Sequence, residues 1–442
     1  MNDSFFQLKE KNTSIRIEVI AGITTFLTMA YIIFVNPNIL SAAGMDQNAL
    51  IAVTCIVSAA ATILVGIFAR APIAMAPGMG LNAFFAYTLV IGDKLSWQTA
   101  LGVVFLSGLI FLILTFLGLR RRLVEAIPMS LVSAMAVGIG LFITFIGLQN
   151  LGLIVNNDAT LVSAGKITGT VLIGLAGLMV MVFLEAKKIK GSLLIGIIFA
   201  TLLAALFGQI QRPEKLISLN LNIAPVAFKL DILNALQFSL LGSIFTLMFI
   251  DMFDSIGTLV ACCHQAKMVD EKGQIKGLDR LLTIDAIATM LGAALGTSTT
   301  TSYIESATGI EQGGRTGLAS IVTGVAFLLA LPFVPLVGVV PTYATAPALI
   351  MVGLFMMKEI KNIDFFNLEE AFPAFIIIVM IALSYSISTG LAFGFVSYVL
   401  IKTILLKARE IKPAMWIIAV LSLLFLTIDQ IPALLEHFKT ST

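Results

Sequence analysis

Long apolar runs recur through this sequence at close to the length a bilayer imposes, and that recurrence restricts its fold more than any other feature. A helix rising about 1.5 Å per residue needs roughly 20 residues to cross a hydrocarbon core of about 30 Å. Runs of that order lie at 17–36, 49–69, 73–91, 98–118, 129–149, 168–185 and 191–208. A polar connection over 209–235 contains Arg212, Pro213, Glu214 and Lys215. Seven more runs follow at 237–262, 281–297, 298–312, 316–334, 341–357, 371–386 and 388–406. A further run, 414–428, has Lys407, Arg409 and Lys412 before it and Asp429, Pro432 and Glu436 after it, and suits either a span or an interfacial helix. Only 12% of the 442 residues are charged, about half the share of a soluble domain. A soluble bundle of long core helices is therefore disfavoured, and the expected fold is an all-α polytopic membrane protein with about 14 transmembrane segments.

The basic residues orient it. With the N-terminus in the cytoplasm, 21 of the Lys and Arg fall in inside segments, among them Lys9, Arg70, Arg120, Arg121, Arg122, Lys187, Lys272, Lys276, Arg280 and Lys358. The outside segments hold Lys94, Lys166, Arg212, Lys215 and Lys229, and Lys439 is left in the tail. Residues 1–16 read as a cytoplasmic N-terminal segment, and the first apolar run is long enough to stay as an anchor rather than be cleaved. The expected location is the cell membrane, multi-pass. Cys55, Cys262 and Cys263 form neither a disulfide framework nor a metal spacing and read as small packing residues. His264 and His437 are too far apart in the chain to suggest a metal site. The net charge of +2 makes no case for a nucleic-acid partner. No cofactor is expected beyond a coupling ion.

Two of the runs are not built as plain helices. In the third, Ala76-Pro77-Gly78-Met79-Gly80-Leu81-Asn82-Ala83-Phe84 loses a backbone donor at Pro77 and is weakened by two glycines, so Asn82 falls near the start of a half-helix. In the tenth, five consecutive Ser/Thr, 298 to 302, favour extended backbone, and Ile304 to Ile310 starts a short helix with Glu305 in its first turn. Non-helical backbone at membrane depth is tolerated only where it is buried in protein or lines a cavity. The two halves also echo each other: Glu18 to Leu27 resembles Phe238 to Leu247, and Ile127-Pro128 resembles Val340-Pro341. Seven spans is an odd number, so a second copy must run upside down. Inverted repeats with broken segments in matching places point to a transporter's binding site.

The eighth run carries Asp251 and Asp254, three apart and so on one helical face. Acids inside a membrane helix cost a few kcal/mol each and call for a purpose. Structural hydrogen bonds to backbone freed by the broken spans are the plain alternative. Asp285, one turn beyond Arg280, suits a surface or helix-terminus place, and Glu311 suits local structure. Phe84, Phe85 and Tyr303 could stack on a planar ligand or simply pack. The deep charged groups are acidic, which disfavours an anionic substrate and suits a neutral molecule rich in N–H groups. A carboxylate deprived of water binds a proton more readily, which suits it to carry a coupling proton.

At these residues the chain resembles the xanthine/uracil permease superfamily of nucleobase:cation symporters, and within it the AzgA-like hypoxanthine/guanine/adenine permeases. The resemblance runs from Gly22-Ile23-Thr24-Thr25-Phe26-Leu27-Thr28-Met29-Ala30-Tyr31 to the fourteenth span. It rests on Ala76 to Thr88, Asp254-Ser255-Ile256-Gly257-Thr258-Leu259, Tyr303-Ile304-Glu305-Ser306 and Gly313-Gly314-Arg315-Thr316-Gly317-Leu318. It implies two inverted sevens, with short strands in the third and tenth spans. The core domain would be 17–118 and 237–334, the gate domain 123–208 and 335–406, with an extracytoplasmic connection at 209–236 and a C-terminal segment at 407–442. It further implies substrate between core and gate, recognised by Asn82, Asp254 and Glu305, with Asp251, Gly80, Phe84, Ser302 and Tyr303 around it, and Glu305 or Asp254 carrying the proton. Where the wider superfamily often has Glu, this chain has Asp254, so a shorter reach and a different base preference follow. The expected activity is purine base import by proton symport with elevator-type motion, and not catalysis. An anion transporter of the related sulfate-permease fold, and a nucleobase channel, stay as alternatives. The sequence leaves open whether two copies form a homodimer.

Overall fold

The computed structural model describes residues 3–118, 127–210, 216–218, 221–269, 275 and 277–427. Arg120, Arg121, Arg122, Arg212, Lys215, Lys272, Lys276, Lys439, His437 and the residues that follow Thr427 lie outside the described residues. In chain order the long helices of the first half are α1 (Ile15–Met29), α2 (Ile32–Ser41) and α3 (Gln47–Leu64), the last continuing as a π-helix over Val65–Ala69. Strand β1 (Met75–Pro77) leads into α4 (Met79–Ala83) and a second π-helical run, Phe84–Gly92. Then come α5 (Trp97–Phe116), α6 (Met129–Leu151), α7 (Gly169–Ala186) and α8 (Ser192–Leu206), with a hairpin of β2 (Ile154–Asn157) and β3 (Leu161–Ala164) between α6 and α7. The second half holds α9 (Leu241–Gln265), α10 (Leu278–Leu295), β4 (Thr300–Ser302), α11 (Ser306–Glu311), α12 (Gly317–Ala330), α13 (Thr342–Met356), α14 (Leu368–Ser384), α15 (Ile387–Ile404) and α16 (Pro413–Thr427).

Each of the fourteen expected spans thus has a counterpart, with ends displaced by a few residues. Among the described residues nine helices are long and apolar enough to cross a bilayer. The shortfall has physical causes. The third and tenth spans are broken into strand and half-helix, α8 has only 15 residues and α14 only 17, and α10 carries Asp279, Arg280 and Asp285. The ends follow capping chemistry: Asp46 accepts from Ala49 N at 2.8 Å, Ser96 from Thr99 N at 3.1 Å and Ser386 from Thr389 N at 3.2 Å. The run at 414–428 forms α16, 15 residues packed on α15 and α9. The hairpin β2–β3 was not expected from the sequence.

The helices sort into two packed sets. In one, α12 lies on α1 and α3, α5 on α9 and α10, and α11 on α1. In the other, α6 packs on α13 and α14, α7 on α8 and α13, and α14 on α15. Inside each set glycine lets backbones meet, as small residues do in membrane interiors. A Cβ on Gly66 would stand 2.6 Å from the Gly317 carbonyl oxygen, and one on Gly140 would stand 2.9 Å from that of Gly353.

Glu18 is an unforeseen tie in the first set. Wholly buried in the first turn of α1, its carboxylate accepts the backbone N–H groups of Arg315 (2.9 Å), Thr316 (3.2 Å) and Ala319 (3.3 Å). It satisfies donors at the start of α12 that have no intrahelical acceptor and complements that helix's dipole. In the second set Lys402, nearly buried at the end of α15, reaches Glu369 and Glu410 at 2.7 Å each, and Lys407 also pairs with Glu369.

Removing the Glu18 carboxylate leaves the backbone donors of Arg315 and Thr316 unpaired and that of Ala319 with only its 3.3 Å bond to Thr316 O. Glu18→Ala should cost about 3 kcal/mol, read as a lowered thermal midpoint of purified protein; an unchanged midpoint would contradict the role. Hydrogen bonds from Lys402 and Lys407 hold the Glu369 carboxyl below the usual carboxylate range. A depressed folded value contributes stability that is present above the unfolded value, about 4.3, and is lost as pH falls through the folded one. The thermal midpoint of the native protein should therefore decline below about pH 4.3, and Glu369→Gln should flatten that decline.

Candidate functional site

Polar backbone at membrane depth is settled here by pairing the two broken segments with each other. Strands β1 and β4 run antiparallel, with Met75 opposite Ser302, Ala76 opposite Thr301 and Pro77 opposite Thr300. The ladder is extended by Gly78 N to Thr299 O and Tyr303 N to Ala74 O, both 3.0 Å. Every residue of both strands is buried. Side chains brace the pair from behind: Thr300 N donates to Thr289 Oγ1 at 3.2 Å, and Met75 N donates to Thr62 Oγ1 at 2.9 Å.

Glu305 sits where β4 gives way to α11, at the helix's N-cap, and is half-buried. Tyr31, in the break between α1 and α2, donates its hydroxyl to Glu305 Oε1 at 2.5 Å. Asp254 lies mid-way along α9, densely surrounded by protein yet keeping an accessible face, the mark of a side chain lining a crevice. The Thr301 hydroxyl is its hydrogen-bonding neighbour. The charges of Asp254 and Glu305 interact, and Tyr303 lies within range of both. Two acids from different elements thus meet beside the paired strands.

The remaining expected residues divide. Ser302 is buried and donates to Ser255 O at 3.2 Å, tying β4 to α9. Tyr303 is nearly buried, with its hydroxyl on Pro77 O at 2.5 Å, so it locks the two strands rather than presenting its ring. Phe84 is wholly buried and packs in the core. Gly80 faces α6: a Cβ there would stand 2.7 Å from Ile139 Cγ2. Asn82 is fully buried and spends its amide on neighbours, donating to Asn36 Oδ1 at 2.6 Å and accepting from Ser298 Oγ. Asn36 in turn donates to Thr54 Oγ1 at 2.7 Å and Thr297 Oγ1 at 3.2 Å.

Asp251 is brought near the site but not into the crevice. It is wholly buried, accepts from Thr289 Oγ1 at 3.1 Å and interacts electrostatically with Asp285. The expectation of a surface or terminal place for Asp285 is corrected: it is wholly buried in α10, seven residues past that helix's start at Leu278, on a side turned to α9. Distance from Arg280 was a poor guide because two helical turns already carry a side chain well inside. Tyr31, Asn36 and Thr289 were missed. Their signal is a polar group inside an apolar run, shared by many membrane residues that only bond their own helix.

Residues 16–393 match the Xan_ur_permease family, described as "Permease family". The guanine/hypoxanthine permease PbuG of Bacillus subtilis is 43% identical over 96% of this chain and 98% of its own. The adenine permease AdeP of Escherichia coli is 41% identical over 96% of this chain and 95% of its own. Among solved structures, the transmembrane domain of a cyanobacterium bicarbonate transporter, BicA, superposes with a TM-score of 0.65 at 16% identity, covering 85% of this chain and 97% of that one. That likeness concerns the fold. The chain belongs to the Xan_ur_permease family: it is a polytopic membrane transporter and not an enzyme.

Asn82 links α2, α4 and the segment before β4. Asn82→Ala should strand two buried partners and lower the thermal midpoint by an amount equivalent to about 1–3 kcal/mol; an undisturbed midpoint would show that the amide serves a ligand alone.

Proposed function

We propose that this permease imports purine nucleobases by proton symport, with Asp254 and Glu305 accepting the N–H groups of the base. The observation that carries the reading is that these two acids, both with accessible faces, interact electrostatically beside the paired strands. It stands with relatives named as adenine and guanine/hypoxanthine permeases. Ionised carboxylates only accept hydrogen bonds, and bonds to them are about twice as strong as neutral ones, so ring N–H and amino groups are fitting partners. An anion of the kind a bicarbonate carrier moves would be repelled by both. Asn82 and the amides at the start of α4 face the base's ring acceptors, and Asn82 reaches one only by releasing Asn36 or Ser298.

Proton coupling follows from charge. A base leaves a buried acid uncompensated unless a proton travels with it, and in this reading Glu305 or Asp254 takes that proton. In this proposal the first helix set with both broken segments forms the core and the second set the gate. The two halves are inverted copies, and the N-terminus is cytoplasmic. The core slides against the gate as an elevator. Antiparallel pairing of two strand–half-helix segments supports inversion, because an upside-down copy presents its strand in that sense.

Glu305→Gln, inserted at native levels, is expected to lose uptake of radiolabelled hypoxanthine by at least a hundredfold. Unimpaired uptake would remove Glu305 from the site. Accumulation by the native protein should collapse with a protonophore and persist without sodium; the reverse pattern would assign sodium as the driving ion.

A further inference from the structure

We infer that Tyr31 is a specificity-determining residue, which weakens the hydrogen bond that Glu305 Oε1 can offer to a two-donor edge of the base; the inference rests on the proposed function. Helices α1 and α2 are separated by Ala30 and Tyr31, where Ile33 N bonds Ala30 O and Phe34 N bonds Tyr31 O, both at 3.1 Å. These i to i+3 bonds tighten the turn and set Tyr31 against the start of α11. Its ring is 2% exposed, so the hydroxyl has no route to the crevice and one destination, Glu305 Oε1. Glu305 is braced further from below: the Thr308 hydroxyl donates to its carbonyl at 2.7 Å and shares a hydrogen bond with Thr28 Oγ1 at 3.0 Å. The residue's own backbone N–H also lies against the carboxylate. A ligand therefore meets a carboxylate one of whose oxygens, Oε1, already accepts a short hydrogen bond.

That count has a chemical consequence. Guanine presents N1–H and its 2-amino group side by side, a fork that matches both oxygens of a carboxylate. Hypoxanthine presents N1–H alone on that edge. With Oε1 already sharing its charge with the Tyr31 hydroxyl, the second donor of the fork gains less than it would on an unpartnered carboxylate. Tyr31 thus narrows the preference for guanine over hypoxanthine, and removing its hydroxyl widens it.

The test compares native protein with Tyr31→Phe, which deletes one oxygen and keeps the buried ring. Inhibition of radiolabelled hypoxanthine uptake by unlabelled guanine and hypoxanthine gives the selectivity ratio. Purine-induced thermal stabilisation of purified protein gives the same ratio without turnover. Y31F is expected to shift the ratio toward guanine about tenfold, the worth of one further charge-assisted hydrogen bond. An unchanged ratio in a variant that still binds purines overturns the assignment and makes Tyr31 a packing residue. Should Y31F fail to insert, Tyr31→His, whose shorter ring cannot carry a donor to Oε1, is expected to shift the ratio toward guanine in the same sense; an unchanged ratio in it overturns the assignment equally. Native protein that binds neither purine refutes the function itself, and this inference with it.

Discussion

The pairing of β1 with β4 is the interaction on which the rest of the structure depends. In hydrocarbon an unpaired backbone group costs several kcal/mol, so a chain that leaves helical geometry inside the membrane needs a partner in the same predicament. Here each broken segment supplies the other's acceptors and donors. Pro77 fits because its missing N–H falls at the end of the short ladder, beside the half-helix it helps to start. Once the strands are joined, the consequences are geometric. Glu305 is delivered at the end of one strand, α4 at the end of the other, and α9 is drawn in through Ser302 and Thr301.

Around that ladder the acids and their supports occupy different layers. Asp254 and Glu305 keep accessible faces, while Tyr31 and Tyr303 lie behind them with hydroxyls already committed. Asp251 and Asp285 lie deeper still, between α9 and α10. The spacing of three between Asp251 and Asp254 puts both on one broad face of α9, yet a rotation of about 60° between them is enough to part a buried acid from an accessible one. The same helix therefore builds the wall and lines the opening.

Much of this was legible in the sequence because it arises from local rules. Apolar run length fixes the spans, Pro77 with two glycines breaks the third, and five Ser/Thr break the tenth. Acids in apolar runs single out Asp254 and Glu305 by cost alone. What escaped reading depends on partners remote in the chain. Glu18 looks like an ordinary first-turn acid until Arg315 and Thr316, nearly 300 residues away, bring it their backbone donors. Tyr31 is one apolar-run tyrosine among several until folding places Glu305 against it. Asn82 was read as open to a ligand, but its partners Asn36 and Ser298 come from two other segments. Asp285 was judged by its nearness to a basic residue in sequence, when the face it occupies decides its burial.

The glycine contacts have a bearing on how this molecule tolerates change. Where Gly66 meets Gly317 and Gly140 meets Gly353, main chains touch and no side chain can yield to make room. Where Gly80 meets Ile139, the opposing atom is a side-chain methyl, which a smaller residue at 139 would remove. Evolution of a new cargo or a faster cycle can therefore draw on the second kind of junction through a paired change, while at the first the backbone itself stands in the way.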